Sequence, residues 1–437
     1  MGFRNLIWKV ILLIGILLGV VFFLSSDSTT TRFIIMFLVT GLGMAYFKFD
    51  VLYPFVWLSF AFIIYNISVY VFELMGIKES PTYPIILNSL FIAICTLFFY
   101  CAFFMPQVKK KKLKNDFLTE KNARIIKNMM NVLGFYLLIC ILLFLRSEYS
   151  SKLEMNLHGG IFGFGIVSRW FTLLLILYIT YKMNKERKFP YITFFCAVIL
   201  TILLSLFIGE RDVFLTVVLG GFLVYNNFFK QHFIKIIPFI IFSFAAVIYL
   251  GEYRQITNMS ENYLFDFADK TLPEKLFGAE FGASAHNFEV ILENENQWEF
   301  QNGKGLIQDI EATFVPSFIL PVKTPSKIYN EQFNSRLSDG YGAGYSYLAE
   351  GYQQWGYVGV FVWTLLLIII THGLYTKSHK TIFGFAAYIF MIALIIYAMR
   401  GDFSFVISPL FKQVFISYLI LYFLLRKKKS YRFEELT

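Results

Sequence analysis

The chain has 437 residues, of which 57% are apolar and only 16% charged, whereas a soluble domain carries about 25% charged residues. That balance excludes an ordinary soluble enzyme and indicates a polytopic membrane protein. The formal charge of +10 would suit a nucleic-acid partner, but its distribution along the chain assigns it to membrane topology instead.

A helix needs about 20 apolar residues to cross the hydrocarbon core. By that ruler the sequence predicts twelve spans, near 6–24, 33–47, 51–75, 84–105, 129–145, 161–181, 191–208, 213–229, 236–251, 343–370, 381–399 and 404–425. The expected fold is all-α and polytopic. The first run lacks a small-residue cleavage pattern and reads as a span rather than a removable signal. Cys95, Cys101, Cys140 and Cys196 all fall inside apolar runs and read as small buried hydrophobes. The 53 Phe and 27 Tyr suit lipid-facing surfaces and interfacial belts. Residues 1–251 hold spans one to nine, 252–342 form a large extracytoplasmic loop, 343–425 hold spans ten to twelve, and 426–437 are a basic tail.

Most of the 39 basic residues fall in alternate loops, with eight between 106 and 128, including the run Lys109 to Lys112. The positive-inside rule then predicts that both termini are cytoplasmic. The loop 252–342 differs in charge, with 14 Asp/Glu against 7 Lys/Arg. It is far longer than an ordinary connector and is expected on the outer face.

Arg211 in "GERD" and Arg400 in "RGDF" emerge on that same face at tight turns between apolar runs, and Arg254 follows the ninth span. Guanidinium presents a rigid fork of donors that matches phosphate oxygens, so the three suit a lipid diphosphate. An arginine at a span end also serves as a plain lipid anchor, and both readings stand at this point. Asp212 and Asp402, next to or near the two arginines, are expected to orient or pair with them. Arg169 and Lys412 lie within spans six and twelve, where charge is costly and faces a cavity or a partner. Arg169 is placed near the middle of its span.

Two groups suit proton transfer: His286, in the long loop, and Glu350. Pro316, Pro321 and Pro325 predict an extended segment there. From Ala343 the tenth apolar run is too long for one span, so its first turns project outward or line a cavity. They carry Tyr345, Tyr352 and Trp355, aromatic faces for an interfacial belt or for stacking sugars beside Glu350. Nothing has metal-ligand spacing, and no cofactor is expected.

The stretches "GERDVFL", "FVPSFILPVKTP", "GYGAGYSYLAEGYQQWGYVGVF" and "RGDF", in that order between about 205 and 405, resemble the Wzy-type polymerases of O-antigen, capsule and exopolysaccharide repeat units. The resemblance implies a GT-C-like glycosyltransferase of the bacterial cytoplasmic membrane, working at the outer face. Its partners would be polyprenyl-diphosphate-linked oligosaccharide donor and acceptor, membrane lipids, a chain-length regulator and a flippase. It implies diphosphate contacts from Arg211 and Arg400, with Arg254 and Lys323 subsidiary. Where such polymerases often carry a basic residue after the FVP step, this chain has Ser317. A glycan ligase uses the same donor with another acceptor and stands as an alternative. A flippase would favour short loops and repeated halves, and the long loop and lack of a repeat count against it.

Overall fold

The apolar runs fold as helices because a chain in hydrocarbon must satisfy every backbone N–H and C=O internally. A computed structural model describes residues 3–78, 80–105, 113–114, 118–146, 164–208, 211–229, 282–295, 298–315, 322–333 and 344–425. Eight helices there are long and apolar enough to cross a membrane, or nine if one bent pair counts as a span.

In chain order these are α1 (Phe3–Ser25), α2 (Thr29–Tyr46), the bent pair α3 (Pro54–Asn66) and α4 (Ser68–Leu74), α5 (Tyr83–Phe104), α6 (Glu120–Arg146), α7 (Phe164–Glu186), α8 (Tyr191–Phe207) and α9 (Arg211–Phe229). Three short helices follow, α10 (Gly282–Glu293), α11 (Lys304–Phe314) and α12 (Pro325–Phe333). The C-terminal part is α13 (Tyr347–Ser378), α14 (Ile382–Ala398) and α15 (Ser404–Leu425). The protein is thus a polytopic helical membrane protein. The ninth expected span, 236–251, lies outside the described residues, as do Arg254, Pro316, Pro321 and Ser317.

Four expectations change. The third span is broken, with α3 and α4 meeting at 52°. Pro325 opens α12 rather than preventing a helix, since proline's fixed φ and missing N–H suit the first helical position. Cys196 is exposed on the bundle surface and Cys95 is half-buried, while Cys101 and Cys140 are buried. Arg169 stands in the second turn of α7 and not at mid-span.

The bundle closes around α14. Every residue of that helix except Tyr397 is buried, and it packs against α7, α9 and α13. A helix apolar on all sides belongs at the centre. By contrast, α1 turns Leu6, Trp8, Ile14, Leu18 and Phe22 outward and packs mainly on α2.

The two ends of the bundle have different chemistry. At one end, which we call the lysine end, the Lys114 N–H donates to Lys380 O at 3.0 Å and Asn122 Nδ2 to Leu425 O at 3.1 Å. Lys185 pairs there with Glu120 at 3.1 Å. At the opposite, arginine end, Lys78 pairs with Glu289 at 2.8 Å and the Gln301 N–H donates to Gln353 O at 2.9 Å. Segments assigned from their charge to one side of the membrane therefore gather at one end.

α13 is interrupted at Trp355 and Gly356. Gly356 has φ +59°, which L-residues rarely adopt. A side chain on Gly359 would run into the Gly351 carbonyl, so residues 347–354 are folded against the helix that follows. The over-long tenth run resolves into a spanning helix preceded by this doubled-back segment.

Candidate active site

The turn between α14 and α15 is held from several sides. The Tyr345 N–H donates to Arg400 O at 2.8 Å and the Tyr347 N–H to Met399 O at 3.2 Å. Ser284 of α10 donates to Met399 O at 3.1 Å. Gly344 lies against the arginine itself: with φ +84°, its missing Cβ would come within 3.4 Å of the Arg400 guanidinium nitrogens. Tyr345 is buried, packs at a tilt against Tyr329 and donates its hydroxyl to Gln353, so its ring offers no exposed face.

Arg400 points toward Tyr397, its guanidinium carbon 5.7 Å from the ring centroid. The charges of Arg169 of α7, Arg211 at the start of α9 and Asp212 all act on the same tyrosine, and that of Arg211 also acts on buried Tyr65. Lys412 of α15 lies near enough to Arg169 for their charges to repel. All four cations are half-buried. The three arginines come from separate elements and gather where the central helix reaches the arginine end, with Lys412 alongside Arg169.

Asp212 does not simply serve its neighbour. It accepts Arg169 Nε at 3.2 Å and Nη2 at 3.0 Å on one oxygen. It also stands in the first turn of α9, where a carboxylate complements the helix dipole. Lys412 sits in a π-helical stretch, Leu410–Phe415, just after Pro409. Such bulges re-register a helix locally, and here the Lys412 carbonyl accepts Trp170 Nε1 at 3.2 Å.

Behind the Arg400 turn lies a second cluster, of carboxyls. Asp402, Glu350 and Asp309 have no exposed surface. Asp402 Oδ2 accepts the Ser326 N–H at 3.1 Å and its hydroxyl at 2.5 Å, and Oδ1 accepts the Ser404 hydroxyl. Glu350 Oε2 accepts the Phe403 N–H at 2.8 Å. Asp309 was not anticipated from sequence. The signal was present in the spacing Gly305, Asp309, Thr313, the buried stripe of α11, while Ile307, Ile310 and Phe314 face outward. This helix turns its polar side inward, which suits a helix lying against lipid.

The other expected residues are dispersed. His286 is exposed and lies 3.4 Å from Glu289, which also binds Lys78. Ser284, two residues earlier, contacts Met399. Two residues advance about 200° round a helix, so His286 faces away from the Arg400 turn. Lys323 is exposed and pairs with Glu331 at 2.7 Å. Tyr352 packs against Phe288 and Tyr357, and Trp355 is 39% exposed at the α13 break.

An apolar groove of about 850 Å³ starts beside this site. It runs from Leu306, Ile310 and Phe314 past Phe403 to Leu374 and Lys377, spanning from the arginine end toward the lysine end.

No curated protein and no solved structure matches the chain. A family model described as O-antigen polysaccharide polymerase Wzy matches residues 5–429, which includes the whole helical bundle, the cation cluster and the carboxyl cluster. A multi-pass helical bundle with arginines gathered at one end, matched almost from end to end, thus makes the chain a member of the O-antigen polysaccharide polymerase Wzy family.

Proposed function

We propose that the protein joins polyprenyl-diphosphate-linked oligosaccharide repeat units at the outer face of the bacterial cytoplasmic membrane, with both termini in the cytoplasm. The observation that carries this reading is the gathering of Arg169, Arg211 and Arg400 about Tyr397, with Lys412 near Arg169. Guanidinium groups on separate helices suit the several oxygens of a diphosphate. The start of α9 adds a helix dipole of favourable sign for an anion. Arg254 and Lys323 are subsidiary contacts in this reading.

The acceptor sugar hydroxyl attacks the anomeric carbon of the donor glycan. A new C–O bond forms, the bond from that carbon to the diphosphate oxygen breaks, and the electron pair leaves on the diphosphate. Arg211 and Arg400 neutralise the charge that develops there. The hydroxyl proton passes to a carboxylate or imidazole. Glu350 is favoured over His286 because it bonds the backbone of the Arg400 turn, whereas His286 lies on the opposite face of α10. Charge neutralisation by arginine supplies what a divalent cation supplies elsewhere, so we assign a metal-independent, GT-C-like reaction. Tyr352 and Trp355 offer aromatic surface to the sugars, and Asp402 positions Arg400 by fixing its turn. The apolar groove takes the polyprenyl chain. At about 1.5 Å per residue, its wall from Phe403 along α15 to Tyr418 runs about 22 Å, more than half of a hydrocarbon core about 30 Å thick.

The test is reconstitution of the purified protein with lipid-linked repeat units, followed by size analysis of the glycan. A ladder of repeats supports polymerisation. Transfer to a different acceptor without a ladder identifies a ligase.

A further inference from the structure

Asp309 and Glu350 meet where neither touches solvent. Asp309 comes from α11 and Glu350 from the doubled-back start of α13, elements that pack on one another; both have no exposed surface, and each carboxyl is near enough to act on the other's proton. The donors around them can be counted. The Phe403 N–H is used on Glu350 Oε2. The Tyr345 hydroxyl is used on Gln353 and the Tyr347 hydroxyl on the Trp363 carbonyl at 2.9 Å. The hydroxyls of Ser326 and Ser404 are used on Asp402. The Ser404 N–H and the Trp363 indole come near but miss hydrogen-bond geometry. Both oxygens of Asp309 and Oε1 of Glu350 are left over, and among the described residues no cation pairs with either group.

Buried groups of this kind are almost always satisfied, and two carboxylates cannot both ionise in contact without a counter-charge. Asp402 stands beside both, but its charge is already met by three donors. One proton held between the two carboxyls would satisfy two of the three remaining oxygens.

We propose that Asp309 and Glu350 hold one proton in common, with Asp309 as the positioning residue that donates it and Glu350 as the carboxylate that receives it. The shared proton stands on burial and the count of donors; only its bearing on the reaction rests on the reading of Glu350 as the proton acceptor. The shared proton fixes Glu350, and through the Phe403 N–H it fastens α11 to the turn that carries Arg400.

The groups that face the pair are Asp402 from the Arg400 turn, Tyr345 and Tyr347 from the entry to α13, and Trp363 beyond its break. Burial, then the Glu350 and Asp402 carboxyls, push the Asp309 carboxyl far above the ordinary range. The folded protein therefore keeps a proton that the unfolded chain releases near pH 4. A raised folded-state value gives a contribution that is full below the unfolded value and declines as pH rises toward the folded one. Across neutral and mildly alkaline pH, the pair should cost about a tenfold fall in the folded-to-unfolded ratio per pH unit.

The experiment measures unfolding of the purified full-length protein in detergent between pH 6 and pH 9, for wild type, Asp309→Asn and Glu350→Gln. Each amide keeps a donor in the pair without needing a proton from solution. Relative to either variant, wild type should lose stability about tenfold per pH unit. Parallel profiles for wild type and both variants overturn the proposal. Where the Asn variant does not fold, Glu350→Gln alone makes the comparison, and the infrared carbonyl absorption of a protonated carboxyl in wild type at pH 8 gives an independent reading. Absence of that band also overturns it. Polymer formation by Glu350→Gln is scored separately. Full activity with an altered pH profile defeats the base assignment and leaves the shared proton standing, whereas lost activity with parallel profiles does the reverse.

Discussion

Replacing Arg400 with lysine separates a diphosphate clamp from a membrane anchor. The arginine is not held as a free surface anchor is held. Its carbonyl accepts the Tyr345 N–H at 2.8 Å, and the bare backbone of Gly344 lies along its guanidinium. Its charge sits 5.7 Å from Tyr397, on which the charges of Arg169 and Arg211 also act. Lysine keeps the charge and reaches as far, but it loses the planar fork and with it one directed contact. A hydrogen bond to a charged group contributes about 1.5–3 kcal/mol. At about 1.36 kcal/mol per tenfold in rate, Arg400→Lys should slow polymerisation roughly ten- to hundredfold, and Arg400→Ala at least as much. The assay is the initial rate of polymer formation from purified lipid-linked repeat units, with the protein at matched amount and matched thermal midpoint. An anchor predicts that lysine substitutes well, because it snorkels too. If Arg400→Lys and Arg211→Lys both work at the wild-type rate, the clamp is wrong.

Cysteines at Lys110 and Lys427 should resist an impermeant thiol reagent in intact cells while one at Asn302 reacts; the reverse pattern would invert the assigned orientation. Glu350→Gln should abolish polymer at normal protein level, whereas His286→Gln should reduce it less than tenfold; if their ranks exchange, the base lies on α10. Leu366→Trp, which narrows the apolar groove, should slow transfer from a long polyprenyl donor several-fold and leave a short-prenyl donor unaffected; equal slowing of both would remove the lipid chain from the groove. Asp212→Asn should destabilise the fold by about 1–3 kcal/mol, since the partner Arg169 side chain is 26% exposed and water tempers the loss of the pair; an unchanged unfolding midpoint would show that the pair contributes nothing.

Sequence alone determined the class of molecule, the places of most helices and the grouping of loops by charge. Those features depend on costs that add residue by residue, such as an unsatisfied peptide group or a charge in hydrocarbon. It also picked out Arg211, Arg400 and Glu350, because a polar residue between apolar runs is conspicuous. It did not reveal which face of a helix meets which neighbour. Lipid and protein core are both apolar, so a spanning helix carries little of the amphipathic pattern that marks a buried face in a soluble protein. Only tertiary structure decided that Asp212 grips Arg169 and that Lys412 stands beside Arg169. It likewise turned His286 away from Met399 and set Tyr397, the one incompletely buried residue of α14, within the influence of Arg169, Arg211 and Arg400. Asp309 shows the same division. Its helix hides polar residues and exposes apolar ones, an inversion that makes sense only once the surrounding solvent is lipid.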